Sequence, residues 1–230
     1  MLERKFTMSM TSIEKHKRIQ ESLLAPPERK VLQWFAVRMP EWVNSDHLTL
    51  LGLAGMALAG VFYYLAGSNP WYLHLVNIAI VLNWFGDSLD GTLARVRDKL
   101  RPRYGYYVDH ILDNFGVLFV VIGLALSGYM SEKVAFLFLI VYFLLNINIY
   151  LATSSLGVFQ ISFNKFGPTE LRIALIVGNL FLLSKPMVHL FGYPFLLFDI
   201  GGVVGIGILT VITVFSTLKN THTLYGLERW

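Results

Sequence analysis

Six apolar runs, at about 48–66, 71–89, 106–128, 133–152, 171–191 and 197–218, dominate this 230-residue chain. Each approaches the length a helix needs to cross a bilayer, roughly 17–25 residues. That length decides the class of fold, because in hydrocarbon every backbone N–H and C=O must be paired inside a helix or a closed barrel. Charged residues make up only 15% of the chain, against roughly 25% in soluble domains. The expectation is an all-α integral membrane protein with six transmembrane helices, five or seven being the alternatives. Cysteine is absent, which excludes disulfides and thiolate metal sites.

Residues 1–47 differ in kind. They carry Arg4, Lys5, Lys15, Lys17, Arg18, Arg29, Lys30 and Arg38, and no apolar core of the kind a cleaved signal peptide needs. Within them, PPERKVLQWFAVRMPEW sets Val31, Leu32, Trp34, Phe35 and Val37 among basic residues, with prolines on both sides. This pattern predicts a short amphipathic helix in the membrane interface, or else a cap packed on the membrane domain. The organisation expected is an N-terminal segment 1–47, a six-helix domain 48–218 and a tail 219–230.

With six spans, all Lys and Arg except Lys133 and Lys185 fall on one side. The positive-inside bias makes that side cytoplasmic and puts both termini and the acidic cluster there, in a cell (inner) membrane. The net charge of +4 reflects this asymmetry and gives no reason to invoke nucleic acid.

Between the second and third runs lies GDSLDGTLARVRDKLRPRYGYYVDHILDNFG, from Gly86 to Gly116. Asp87 and Asp90 are spaced i, i+3, and Asp109 and Asp113 i, i+4, so each pair shares one helix face. The connection is short and basic, which makes the two helices antiparallel neighbours with both acidic faces at one depth. Each ionised Asp costs about 2.5–3.5 kcal/mol near the centre of a membrane helix. Four together need compensation, and hard oxygen ligands suit magnesium or manganese, two ions being the economical number. Gly91 and Gly105 remove side chains near the cluster, Ala94 is small, and Arg95 offers a planar fork suited to phosphate. Taken singly, Arg95, Arg97, Lys99, Arg101 and Arg103 read as a solvated loop, and each glycine as a helix-packing residue. Together with four carboxylates they imply a bound di- or polyphosphate.

Asp87-Ser-Leu-Asp90-Gly91-Thr-Leu-Ala94-Arg95 followed by Gly105-Tyr-Tyr-Val-Asp109-His-Ile-Leu-Asp113 resembles the signature of the CDP-alcohol phosphotransferase family. All eight defined positions match. The resemblance implies that Asp87, Asp90, Asp109 and Asp113 hold two Mg2+ (or Mn2+) ions and that Asp113 is the general base. It further implies that Gly91, Ala94 and Arg95 contact a CDP-linked donor. Ser45-Asp46-His47-Leu48-Thr49 is similar to the family's segment at the first span, with Asp46 where an asparagine is usual; Asp46 and Thr49 would hold the cytidine. Ser45 or Asp46 also reads as the N-cap of that helix. Nine residues separate Arg95 from Gly105 where the family usually has eight or fewer, so no donor role is carried to Arg101 or Pro102.

The implied reaction transfers a substituted phosphate group to a hydroxyl acceptor with release of CMP, in phospholipid synthesis. The family resemblance also suggests a homodimer. Lys165, Glu170 and Arg172, around the fifth span, are acceptor-binding candidates: Lys165 and Arg172 suit an anionic acceptor or mark the cytoplasmic end of the helix, and Glu170 equally suits a helix N-terminus. The small six-span size resembles the branch of the family that uses CDP-diacylglycerol as donor and a polar alcohol, whereas Asp109-His110 and Thr169-Glu170 resemble the choline and ethanolamine branch, whose acceptor is diacylglycerol. Two rivals are an aspartate-motif prenyltransferase, with Asn83 and Asp87 spaced as in its motif, and an ion-coupled transporter. The short interval between the acidic pairs and the basic loop beside them favour the phosphotransferase reading.

Overall fold

A computed structural model describes residues 24–156, 168–190 and 192–228. Along the chain run α1 (Ala25–Arg38), α2 (Ser45–Ala66), α3 (Tyr72–Val96), α4 (Pro102–Ser127), α5 (Glu132–Leu156), α6 (Pro168–Ser184), β1 (Met187–Leu190), β2 (Tyr193–Leu196) and α7 (Leu197–Leu227). Four of these helices, α2, α4, α5 and α7, are long and apolar enough to cross a membrane. The protein is thus a helical integral membrane protein. On α5 and α7, Leu144, Ile147, Leu151, Val211, Phe215 and Leu218 are exposed, a surface suited to lipid rather than water.

One expectation needs correction. The fifth apolar run, read as a helix to residue 191, ends as helix at Ser184 and continues as an antiparallel hairpin. Lys185 N makes the last helical bond, to Phe181 O at 2.7 Å, and Pro186 follows; a proline disfavours helix at the residue before it and has no N–H to continue the ladder. The chain then pairs Met187 with Leu196 and Leu190 with Tyr193, turning at Gly192 with φ 85°. Hydropathy alone cannot distinguish this short β segment from the end of a span.

The start of α2 also differs from expectation. Its cap is Asn44, not Ser45 or Asp46: Asn44 Oδ1 accepts from His47 N at 2.9 Å, and His47 Nδ1 accepts from Asn44 N at 3.3 Å. This is a capping box with histidine in the place of Glu or Gln.

Two cores hold the helices. Tyr63, Leu73, Val76, Ile80, Val120 and Leu124 lie in the larger, between α2, α3 and α4. The smaller joins Leu32 and Ala36 of α1 to Val43, Leu48, Leu89 and Leu93, so α1 packs on the face of α3 behind its aspartates. At the α2–α3 crossing the backbones nearly touch. A Cβ on Gly86 would come within 2.5 Å of Gly52 N and Leu48 O, so only glycine permits this approach. That closeness brings α2 side chains to the α3 aspartates.

Candidate active site

The carboxylates come from two consecutive helices, Asp87 and Asp90 from α3 and Asp109 and Asp113 from α4. The turn between them has a defined cause. Lys99 N donates to Ala94 O at 2.9 Å and Asp98 N to Arg95 O at 3.2 Å, while Asp98 sits in the left-handed region with φ 53°. This is a Schellman closure, here built on aspartate instead of glycine. It stops α3 just after Arg95 and reverses the chain into α4, which starts at Pro102.

The reversal brings all four carboxylates together. Asp113 lies within electrostatic reach of Asp87, Asp90 and Asp109, and Asp90 within reach of Asp87 and Asp109. Ligand atoms of Asp109, His110 and Asp113 lie within 4.8 Å of one another. His110 Nδ1 is 3.4 Å from Asp109 Oδ2, and its ring lies tilted against Tyr106, with centroids 4.3 Å apart. An oxygen-rich set of this kind, with an imidazole at its edge, fits a hard divalent cation.

Neighbouring helices orient the first pair. From α2, Thr49 Oγ1 donates to Asp90 Oδ2 at 2.6 Å, and Ser45 Oγ donates to Asp90 O at 3.0 Å. Gly91 N donates to the other Asp90 oxygen. From α6, Arg172 Nη2 donates to Asp87 Oδ2 at 2.5 Å, and its Nε to Asn83 Oδ1 at 2.8 Å. Asn83 Nδ2 in turn donates to Gly52 O at 3.0 Å. The Arg172–Asp87 pair is mostly shielded, with side chains 14% and 23% exposed.

The remaining candidates fall in different places. A Cβ at Gly91 would meet only Arg95 Nη2, at 3.7 Å, and one at Gly105 would meet nothing within 4 Å. Neither glycine closes a helix crossing; both leave open space beside the cluster. Ala94 is buried, and Arg95 is exposed. Asp46 forms an ion pair with Arg101, whose guanidinium also lies 4.2 Å over the Tyr104 ring. Glu170, in the first turn of α6, accepts from Leu24 N at 3.3 Å. Lys165 lies outside the described residues.

Arg97 departs from the solvated-loop expectation. Its guanidinium donates to Met39 O at 2.9 Å and Pro40 O at 2.8 Å, to Glu41 O at 3.4 Å, and to Val43 O. It thereby satisfies carbonyls at the C-terminal end of α1 and in the loop leading to α2. Asn83 and Glu28 were likewise not read as site-supporting residues. Asn83 stands out in the sequence only through the spacing of the rival prenyltransferase motif and Glu28 through none, since each acts through partners more than 30 residues away.

A family model described as CDP-alcohol phosphatidyltransferase matches residues 42–218. Archaetidylinositol phosphate synthase of Pyrococcus horikoshii is 31% identical over 98 residues, covering 43% of this chain and 49% of its own. Cholinephosphotransferase 1 of Rattus norvegicus is 26% identical over 176 residues, covering 71% of this chain and 42% of its own. The chain therefore spans less than half the length of these curated relatives. Phosphatidylinositol phosphate synthase of Mycobacterium tuberculosis, solved with CDP-DAG bound, superposes with a TM-score of 0.55 at 18% identity. That match covers 86% of this chain and 93% of the other, and shows a shared fold.

Proposed function

The chain belongs to the CDP-alcohol phosphatidyltransferase family, and on that premise we propose that it transfers a substituted phosphate group from a CDP-linked donor to a hydroxyl acceptor, releasing CMP. The observation that carries this reading is the convergence of Asp87, Asp90, Asp109 and Asp113 beside the exposed Arg95. These four aspartates would hold two Mg2+ or Mn2+ ions. Bound there, the cations would neutralise charge on the diphosphate and on the departing CMP.

The chain's own groups supply the rest. Arg95, above the open space at Gly91, forks onto the donor diphosphate. Asp46 and Thr49, at the start of α2, face the cytidine, and Ala94 keeps the helix end slim. Asp113 accepts the proton of the acceptor hydroxyl as its oxygen bonds to phosphorus and the bond to CMP breaks. Holding the reactants in line accounts for much of the rate. Lys165 and Arg172 recognise an anionic acceptor, and Glu170 takes part in acceptor binding by accepting from its hydroxyl groups.

CDP-diacylglycerol is the donor favoured here, supported by the likeness to a structure with CDP-DAG bound. A choline- or ethanolamine-type reaction with diacylglycerol as acceptor has its own support. His110 lies against Asp109, and cholinephosphotransferase 1 matches 71% of this chain. In either case α3 and α6 join the four apolar helices to make six spans, and α1 lies in the interface. Both termini and the site face the cytoplasm of the inner membrane, and two copies form a dimer.

Purified protein incubated with Mg2+ and a panel of CDP-linked donors and acceptors should release CMP. Release with CDP-diacylglycerol and a polar alcohol phosphate supports the first reading, and release with CDP-choline or CDP-ethanolamine and diacylglycerol supports the second. No CMP from any combination would overturn both.

A further inference from the structure

Glu28 stands on α1, outside the aspartate cluster, yet a single one of its oxygens reaches two other helices. Oε1 accepts from Trp84 Nε1 at 2.6 Å and Ser88 Oγ at 3.3 Å, both on α3, and from Thr169 Oγ1 at 2.9 Å on α6. The neighbouring Glu170 returns the connection by accepting from Leu24 N at 3.3 Å. A partly buried carboxylate is unfavourable unless it accepts hydrogen bonds, and here three donors converge on one of its oxygens.

The positions of those donors matter more than their number. Ser88 lies between Asp87 and Asp90 on α3. Thr169 lies one turn before Arg172 on α6, so fixing Thr169 fixes where the Arg172 side chain emerges. Arg172 then reaches Asp87 Oδ2 at 2.5 Å and Asn83 Oδ1 at 2.8 Å. From this chain of contacts we infer that Glu28 is a positioning residue, which seats α6 against α3 so that Arg172 grips Asp87 and thereby sets how tightly Asp87 holds a divalent cation. The guanidinium occupies a carboxylate lone pair and repels an incoming cation. A firm grip weakens cation binding, and a loosened one strengthens it.

The inference rests on reading Asp87 as a cation ligand. Mn2+ binding to the full-length protein in detergent, followed by the electron paramagnetic resonance of free Mn2+, tests it without any need for turnover. Arg172→Met should bind Mn2+ more tightly than the unsubstituted protein, by roughly tenfold, as expected for one lost competing charge contact. Glu28→Ala, and separately Thr169→Val, should move part of the way in the same direction. Glu28→Gln should restore ordinary affinity, because its amide oxygen accepts the same bonds. The double variant Glu28→Ala/Arg172→Met should match Arg172→Met alone, since both act through one contact. Unchanged affinity in Glu28→Ala and Thr169→Val, or an additive double variant, would overturn the inference and leave Glu28 as a staple for α1. A wild-type protein that binds no Mn2+ would overturn the cation reading itself and this inference with it.

Discussion

Thr49 of α2 donates its hydroxyl to Asp90 Oδ2 on α3 across 2.6 Å. The same hydroxyl is 3.0 Å from Ser45 O, and having one proton it serves the shorter, charged acceptor. Asp90 is thus oriented by the neighbouring helix as well as by its own. Thr49→Val keeps the shape and removes the donor. Because hydrogen bonds to charged groups contribute about 1.5–3 kcal/mol, kcat/KM for CMP release should fall at least tenfold or so. Thr49→Ser should retain most of the activity, and an equal loss in both variants would count against the hydrogen bond.

Asp113→Asn and Asp90→Asn should separate base from ligand. Asparagine at 113 cannot take a proton, so single-turnover rates should drop by roughly 10²–10⁴-fold, while the CDP-linked donor still binds. Asp90→Asn should lose donor affinity and turnover together, because a cation ligand is removed. Isothermal titration of the donor on both variants in one detergent decides. Equal loss of binding would make Asp113 a ligand only.

Arg95→Lys keeps the charge but not the fork. Donor affinity should fall by about tenfold with little change in thermal stability, since Arg95 is exposed and one bidentate contact is at stake. Unchanged donor affinity would return Arg95 to a solvated loop.

Asp98 holds φ 53° at the end of α3, a region that costs an ordinary side chain about 1–2 kcal/mol. Asp98→Gly should raise the thermal midpoint, and Asp98→Val should lower it by the equivalent of that cost. Because the turn sets α4 against α3, Asp98→Val should also weaken Mn2+ binding. Identical midpoints for glycine and valine would show that the Schellman closure does not limit stability.

The family and the two acidic pairs were legible because both are local patterns. Residues spaced i, i+3 or i, i+4 share a helix face in any fold, and an eight-position motif needs no tertiary knowledge to be matched. The helical membrane class was legible for a similar reason, since the length and polarity of a run determine whether it can cross a bilayer. The hairpin at Met187–Leu196 was not, because apolar composition is common to a buried helix end and a short strand, and Lys185-Pro186 is a weak signal inside a long run.

Sequence alone determined that four carboxylates sit on two helices joined by a short basic turn, the pattern from which the proposal of a bound cation and phosphate starts. Tertiary structure alone decided what surrounds them. Arg172 grips Asp87 from 85 positions away, Thr49 reaches Asp90 from 41, and Arg97 and Glu28 tie α1 to the back of the same helix. The backbone contact at Gly52 and Gly86 makes the Thr49 contact possible. Spacing rules end with the helix that carries them. Which side chain of another helix arrives at a given carboxylate depends on crossing angle and depth, and these are set by packing over the whole bundle.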